Sequence, residues 1–163
     1  IEAISERAGV AVSTVYSIYK NKRGILNAIR EAWHQESGQR ALYQAALNES
    51  DPERRLELFA KATRQQWEVS ADMMAIYQGA AAVDPEAAAE LKEALVGRRA
   101  NLSRTIGETA AMLHPDLTSQ QAAAIYLALT RAEVYLELVE GFGWLPDDYE
   151  VWLAKTLKQQ LLP

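Results

Sequence analysis

Cysteine is absent from the 163 residues. Its absence excludes a disulfide-stapled scaffold, a thiolate zinc site and a cysteine nucleophile. Long apolar runs are missing too: charges interrupt every stretch well before the roughly 20 apolar residues of a membrane span. Strand-like alternation is absent, and no internal repeat appears. Proline is scarce, at five residues, and four of the five punctuate the chain rather than crowd into a linker. What remains is ample apolar material, 49% of the residues, with a modest net charge of -5. That combination excludes a disordered chain and supplies one ordinary globular core. Residue 1 is Ile, which reads as an internal start, so a leader peptide cannot be judged from this end.

Alanine, leucine, glutamate, glutamine and arginine dominate, and the whole chain reads as helix. Asp51-Pro52 and Asp84-Pro85 each have the form of an N-cap followed by proline at the first helical position. Pro115 closes one helix, and Thr118 to Gln121 opens the next with the spacing of a capping box. Gly141-Phe142-Gly143 ends that helix and Pro146 starts the last. These signals predict helices over 1–8, 12–18, 22–48, 52–70 with a kinked extension to 82, 85–113, 118–140 and 147–161.

Charge is uneven along the chain. Residues 1–30 hold Arg7, Lys20, Lys22, Arg23 and Arg30 against Glu2 and Glu6, a balance of +3. The remaining 12 basic and 20 acidic residues leave -8. A small basic head on an acidic body points to a polyanion as the partner of the head. Within it, Ile1, Ile4 and Ala8 share one helical face, and Gly9 supplies a tight turn. Val10 is expected to plug the angle between two short helices, and Val15 with Ile18 or Tyr19 to pack the second helix back. This is a helix-turn-helix pattern, in which the second helix enters the major groove with its first residues at the base edges.

The stretch resembles the DNA-binding segment of TetR/AcrR-type transcriptional regulators. Ile4, Ala8-Gly9-Val10, Ser13-Thr14-Val15-Tyr16, Tyr19 and Lys22 before Ile25-Leu26 carry the resemblance, over about 25 residues. It implies an all-α, TetR-like fold, with a DNA-binding domain over 1–30 and a ligand-binding and dimerisation domain over 31–163. The family's first helix would then lie upstream of residue 1. The resemblance places Thr14, Tyr16 and Lys22 on the phosphate backbone and Ala11, Val12 and Ser13 at base edges. Two departures stand out: Ala11 where serine is frequent, so that the cap of the second helix is lost, and Tyr19 where phenylalanine is usual. Hydroxyls of Thr14 and Tyr16 can donate to phosphate oxygens, and Lys22 is a point charge. Asn21 is positioned to cap the next helix, aiming free amides at the same phosphates. Ala11 and Val12 can offer thymine only methyl contacts, so base recognition by this helix is expected to be weak, with further specificity coming from residues upstream of residue 1 or from DNA shape. The competing readings are a buried core tyrosine for Tyr16 and a solvated helix end for Lys22.

In the body, the segment 118–140 is apolar almost all round, which predicts burial on several sides. The last helix carries a stripe of Tyr149, Trp152, Leu153, Thr156, Leu157 and Leu161. A two-fold four-helix interface, with Tyr126 contributing, would cover that stripe and matches the dimer device of the resembled family. Trp67, Met73, Met74, Tyr77, Met112, Tyr126 and Tyr135 are the candidate lining of an adaptable effector pocket, against the alternative of plain core. Glu133, polar in an apolar helix, either orients an effector with Arg131 or Arg104 or forms an ion pair.

Catalytic signals are missing. Glu31-Ala-Trp-His34 is one half of a di-iron bundle signature, and the other histidine, His114, has Ala111 three residues before it in place of an acid. No Walker loop, HExxH or nucleophile elbow occurs. Asn48-Glu-Ser50 and Asn101-Leu-Ser103 are formal sequons in helical context. The expectation is a cytoplasmic, homodimeric, ligand-responsive regulator without metal or cofactor. It would act as a repressor that a small apolar or aromatic effector releases from a palindromic double-stranded DNA operator. The alternative is a helical protein-interaction module that binds no specific operator.

Overall fold

The structure, a computed structural model, describes residues 1–36, 38–109 and 112–163, with the backbone alone at Arg30, Trp33, His34 and Glu36. Every regular element among them is a helix. The chain divides into two compact units, Ile1–Glu36 and Ser37–Pro163. Residue 30 lies inside the last helix of the first unit.

That unit contains α1 (Glu2–Ala8), α2 (Val12–Tyr19) and α3 (Lys22–Glu36). Gly9 ends α1 in the left-handed region, at φ 66°. The amides of Gly9 and Val10 donate to the carbonyls of Glu6 and Ser5 at 3.2 and 3.1 Å, which closes the helix. Ala11 stands at the N-cap of α2 and no side chain caps it. Val15 is buried and Tyr19 half-buried, but Ile4, Val10 and Ile18 are exposed. Val10 therefore does not plug the angle between α1 and α2. Thirty-six residues enclose too little interior to cover every apolar side chain.

The second unit comprises α4 (Gln39–Asn48), α5 (Pro52–Val83), α6 (Pro85–Gly107), α7 (Ser119–Leu129), α8 (Ala132–Leu136), a π-helical turn (Glu137–Gly141) and α9 (Pro146–Leu161). The helix starts read from the sequence hold at Asp51, Asp84 and Thr118. Asp51 Oδ1 accepts from the Glu53 amide at 3.0 Å, and Asp84 Oδ1 from the Glu86 amide at 2.9 Å. Thr118 and Gln121 form a reciprocal capping box. Buried Arg55 on α5 donates to the carbonyls of Leu47 and Glu49, so it satisfies the open C-terminus of α4 and ties the two helices together.

Three helix boundaries differ from expectation. The helix expected over 22–48 is two: α3 ends at Glu36 and α4 begins at Gln39, after Gly38 at φ 63°; Ser37 is outside the described residues. The segment 52–82 is not divided in two: α5 runs as one element of 32 residues. Its Ala-rich end propagates helix through Gly79, whose cost of roughly 1 kcal/mol is small beside that cooperativity. The helix expected over 85–113 ends at Gly107, where the Thr109 amide and hydroxyl both turn back to the Ile106 carbonyl.

A fourth difference matters most for the site. The segment 118–140 breaks at Thr130-Arg131, where Arg131 is extended (φ -74°, ψ 151°). The break frees the Thr130 carbonyl, which accepts from Trp67 Nε1 at 3.0 Å and from an Arg98 terminal nitrogen at 2.7 Å. Thr130 Oγ1 turns back to the Tyr126 carbonyl at 2.8 Å.

Around α5 the core gathers Phe59, Trp67, Ile106, Tyr126, Tyr135, Tyr149, Leu153, Leu157 and Leu161. Ion pairs hold α9 on α5 at both ends. Arg64 reaches Asp147 and Glu150 at 2.6 and 3.2 Å, and Lys158 reaches Glu53 and Glu57 at 2.9 and 2.8 Å. They run α9 antiparallel to α5.

Candidate functional site

In the first unit the candidate DNA-contacting residues share one property, exposure. Ala11, Val12, Ser13, Thr14 and Tyr16 all face solvent on or just before α2, while Val15 between them is only 4% exposed. Tyr16 is 50% exposed, so the buried-tyrosine reading is set aside. Lys22 is the first residue of α3 and also exposed. Neither the Tyr16 hydroxyl nor the Lys22 ammonium has a partner among the described residues.

The turn from α2 to α3 is built by residues that sequence reasoning noticed only in part. Asn21 Oδ1 accepts from the Gly24 amide at 2.9 Å, the expected cap. Lys20 takes φ 67°, the only non-glycine residue with positive φ among those described, and its ammonium donates to the Ser17 carbonyl at 2.8 Å. A Cβ at Gly24 would overlap the carbonyl oxygen of Tyr19, so only glycine lets α3 start this close to the end of α2. Lys20, Lys22 and Arg23 thus stand together at a helix N-terminus, which suits an anion.

In the second unit the structure gathers some candidates and scatters others. Trp67, Tyr126 and Tyr135 belong to one buried cluster, with Met74 packed against it. Met73 and Tyr77 are buried outside that cluster, and Met112 is half-buried in the connection before α7. Tyr126 meets Phe59 edge-on at 5.8 Å, and its hydroxyl lies 3.4 Å from that of Tyr43. Burial, then Tyr43, push the Tyr126 phenol well above its ordinary range. Arg98, which no sequence signal singled out, lies over the Trp67 ring at 5.6 Å.

Glu133 does not face this interior. Its exposed carboxylate accepts from Arg131 at 2.8 and 3.1 Å and from Gln78 at 3.0 Å. The break at Thr130 turns α8 away from the register of α7 and carries Glu133 to the surface. The hydrogen bonds from Arg131 are the main reason its carboxyl falls from 4.5 to about 2.

The stripe on α9 is likewise not open to a second copy. Tyr149, Leu153, Leu157 and Leu161 are each 0% exposed, and Tyr126 is 1% exposed, within the single chain. Their cover comes from α5, α7 and α8, which the sequence alone could not arrange around α9. Trp152 and Thr156 remain half-buried. Tyr149 meets Tyr135 edge-on at 5.0 Å and Trp152 at 5.8 Å, yet its buried hydroxyl finds no partner among the described residues. The side chain of His34 is outside the described residues. Among the described residues, no cluster of acids and histidines could hold a metal, and no helix is long and apolar enough to cross a membrane. Compared with protein-family models and with curated proteins, the chain matches none.

Proposed function

We propose that the chain is a ligand-responsive, DNA-binding transcriptional regulator of the TetR/AcrR type, acting as a repressor. The observation that carries this reading is the exposure pattern of α2. Ser13, Thr14, Tyr16 and Lys22 all stand in solvent, while Val15 is buried and Tyr19 half-buried. A helix that shows its polar and hydroxyl side chains next to three cations fits a major groove better than a core. Two copies would place two such helices in successive grooves about 34–36 Å apart, on a palindromic operator. A second copy would meet the half-buried Trp152 and Thr156 of α9 rather than the covered stripe.

The effector in this reading is a small apolar or aromatic molecule that enters the cluster of Trp67, Met74, Tyr126 and Tyr135, with Arg98 and the Thr130 carbonyl as its polar edge. It releases DNA only if it binds the DNA-free state more tightly, and operator DNA must weaken its binding by the same factor.

A gel shift on DNA upstream of the protein's own gene tests the proposal, using the protein as that gene encodes it. Lys22→Ala is expected to weaken binding to all sequences alike and to lower the salt slope by about one unit. Changing Ser13 is expected to alter sequence preference instead. Binding that ignores sequence, or a salt slope that Lys22→Ala leaves unchanged, would instead favour a helical interaction module without an operator.

A further inference from the structure

Between the first half of α5 and the outer face of α9 opens a groove of about 590 Å³. From the structure we infer that this groove binds a small amphipathic anion, with a carboxylate-type head and a short apolar body. The inference stands apart from the DNA-binding proposal and uses none of its residues.

Helical spacing builds the groove. Leu58 from α5 and Val151 with Ala154 from α9 form an apolar strip, with Lys61 and Lys155 beside it. Val151 is 69% exposed, so this strip is open to an occupant. The two acids in the groove are already engaged: Glu57 accepts from Lys158 at 2.8 Å and from Arg54 at 2.7 Å, and Glu150 from Arg64 at 3.2 Å. Those hydrogen bonds hold the Glu57 carboxyl below its ordinary range. Lys61 and Lys155 are exposed, and neither has an ion pair or hydrogen bond among the described residues.

Of the four cations in the groove, Arg54 and Lys158 are held by Glu57, and Lys158 by Glu53 as well, which leaves Lys61 and Lys155 as the uncommitted pair. Two uncommitted ammonium groups beside an apolar strip complement a single anionic head with an apolar body. The volume lies within the range of small-molecule sites. The groove is partly open to solvent, so an occupant can enter it without displacing the core.

Octanoate is the probe, titrated by calorimetry against the intact protein without DNA, with octanol and octylammonium as controls. Octanoate is expected to bind, to weaken as salt screens the lysines, and to outbind both controls. The double variant Lys61→Gln/Lys155→Gln is expected to lose roughly tenfold in affinity, the worth of two exposed charge contacts. Its thermal unfolding should match the parent, since neither lysine supports the fold. Val151→Ser is expected to weaken octanoate without changing its salt dependence. No octanoate binding, equal affinity for octylammonium, or full affinity in the double lysine variant would each overturn the inference. A gel shift with the same lysine variant separates the two proposals, because operator affinity should not change.

Discussion

Single polar atoms decide several local outcomes. The Tyr149 hydroxyl is buried without a partner, so it carries a desolvation cost that no hydrogen bond offsets. Burial also pushes its phenol up from the ordinary value of 10. Tyr149→Phe is expected to raise unfolding stability by about 1 kcal/mol in a urea titration, whereas Tyr149→Ala should cost about 3–5 kcal/mol through lost packing. Glu133 shows the opposite case, a surface acid well supplied with donors. Its carboxyl lies at about 2 when folded, against an ordinary 4.5. The stability it contributes is therefore complete above pH 4.5 and is lost as pH falls toward 2. Both partners face solvent, at 60% and 45% side-chain exposure, so screening keeps that contribution below about 1 kcal/mol. Glu133→Gln should lower stability slightly at pH 7, and the difference from the parent should vanish near pH 2 in acid titrations followed by circular dichroism.

At the scale of elements, the α2–α3 turn is the most constrained junction. Gly24 sits within the first turn of α3, where propensity alone would favour alanine by about 1 kcal/mol. The carbonyl of Tyr19 leaves no room for a Cβ. Gly24→Ala is thus expected to destabilise, by about 1–3 kcal/mol, as overpacking does. Hydrogen exchange at the amides of α2 and α3 would report it, and slower exchange in the variant would contradict the crowding. The same junction presents Lys20, Lys22 and Arg23, so a variant that opens it should also lose operator affinity under the proposed function. The break between α7 and α8 is the counterpart in the second unit. There the chain gives up helical hydrogen bonds at Thr130, and Trp67 and Arg98 replace them.

For the whole molecule, the question is what covers α9. An amphipathic stripe read in isolation asks for a partner, and a second copy is one way to supply it. In this chain α5, α7 and α8 supply it, leaving Leu157 and its stripe neighbours fully enclosed. A charged residue at Leu157 is therefore expected to unfold the second unit rather than to split an assembly. Leu157→Asp should cost at least about 3–5 kcal/mol in chemical denaturation, from the lost side chain and a buried charge. A folded, merely monomeric Leu157→Asp variant would return the stripe to a subunit interface.

The sequence by itself determined the class of structure and its local punctuation. Asp51, Asp84, Thr118 with Gln121, and Asn21 each cap a helix through groups no more than three residues away. Interactions that short are written in neighbouring letters. Only the tertiary structure decided the break at Thr130, the surface position of Glu133, the cover of α9 and the groove beside Lys61 and Lys155. The donors that replace the helix at Thr130 come from 63 and 32 residues away. The ion pairs that align α9 with α5 join Arg64 to Asp147 and Lys158 to Glu53, across 83 and 105 residues. No periodicity within one segment encodes partners at such separations, because their energy exists only once the helices have packed.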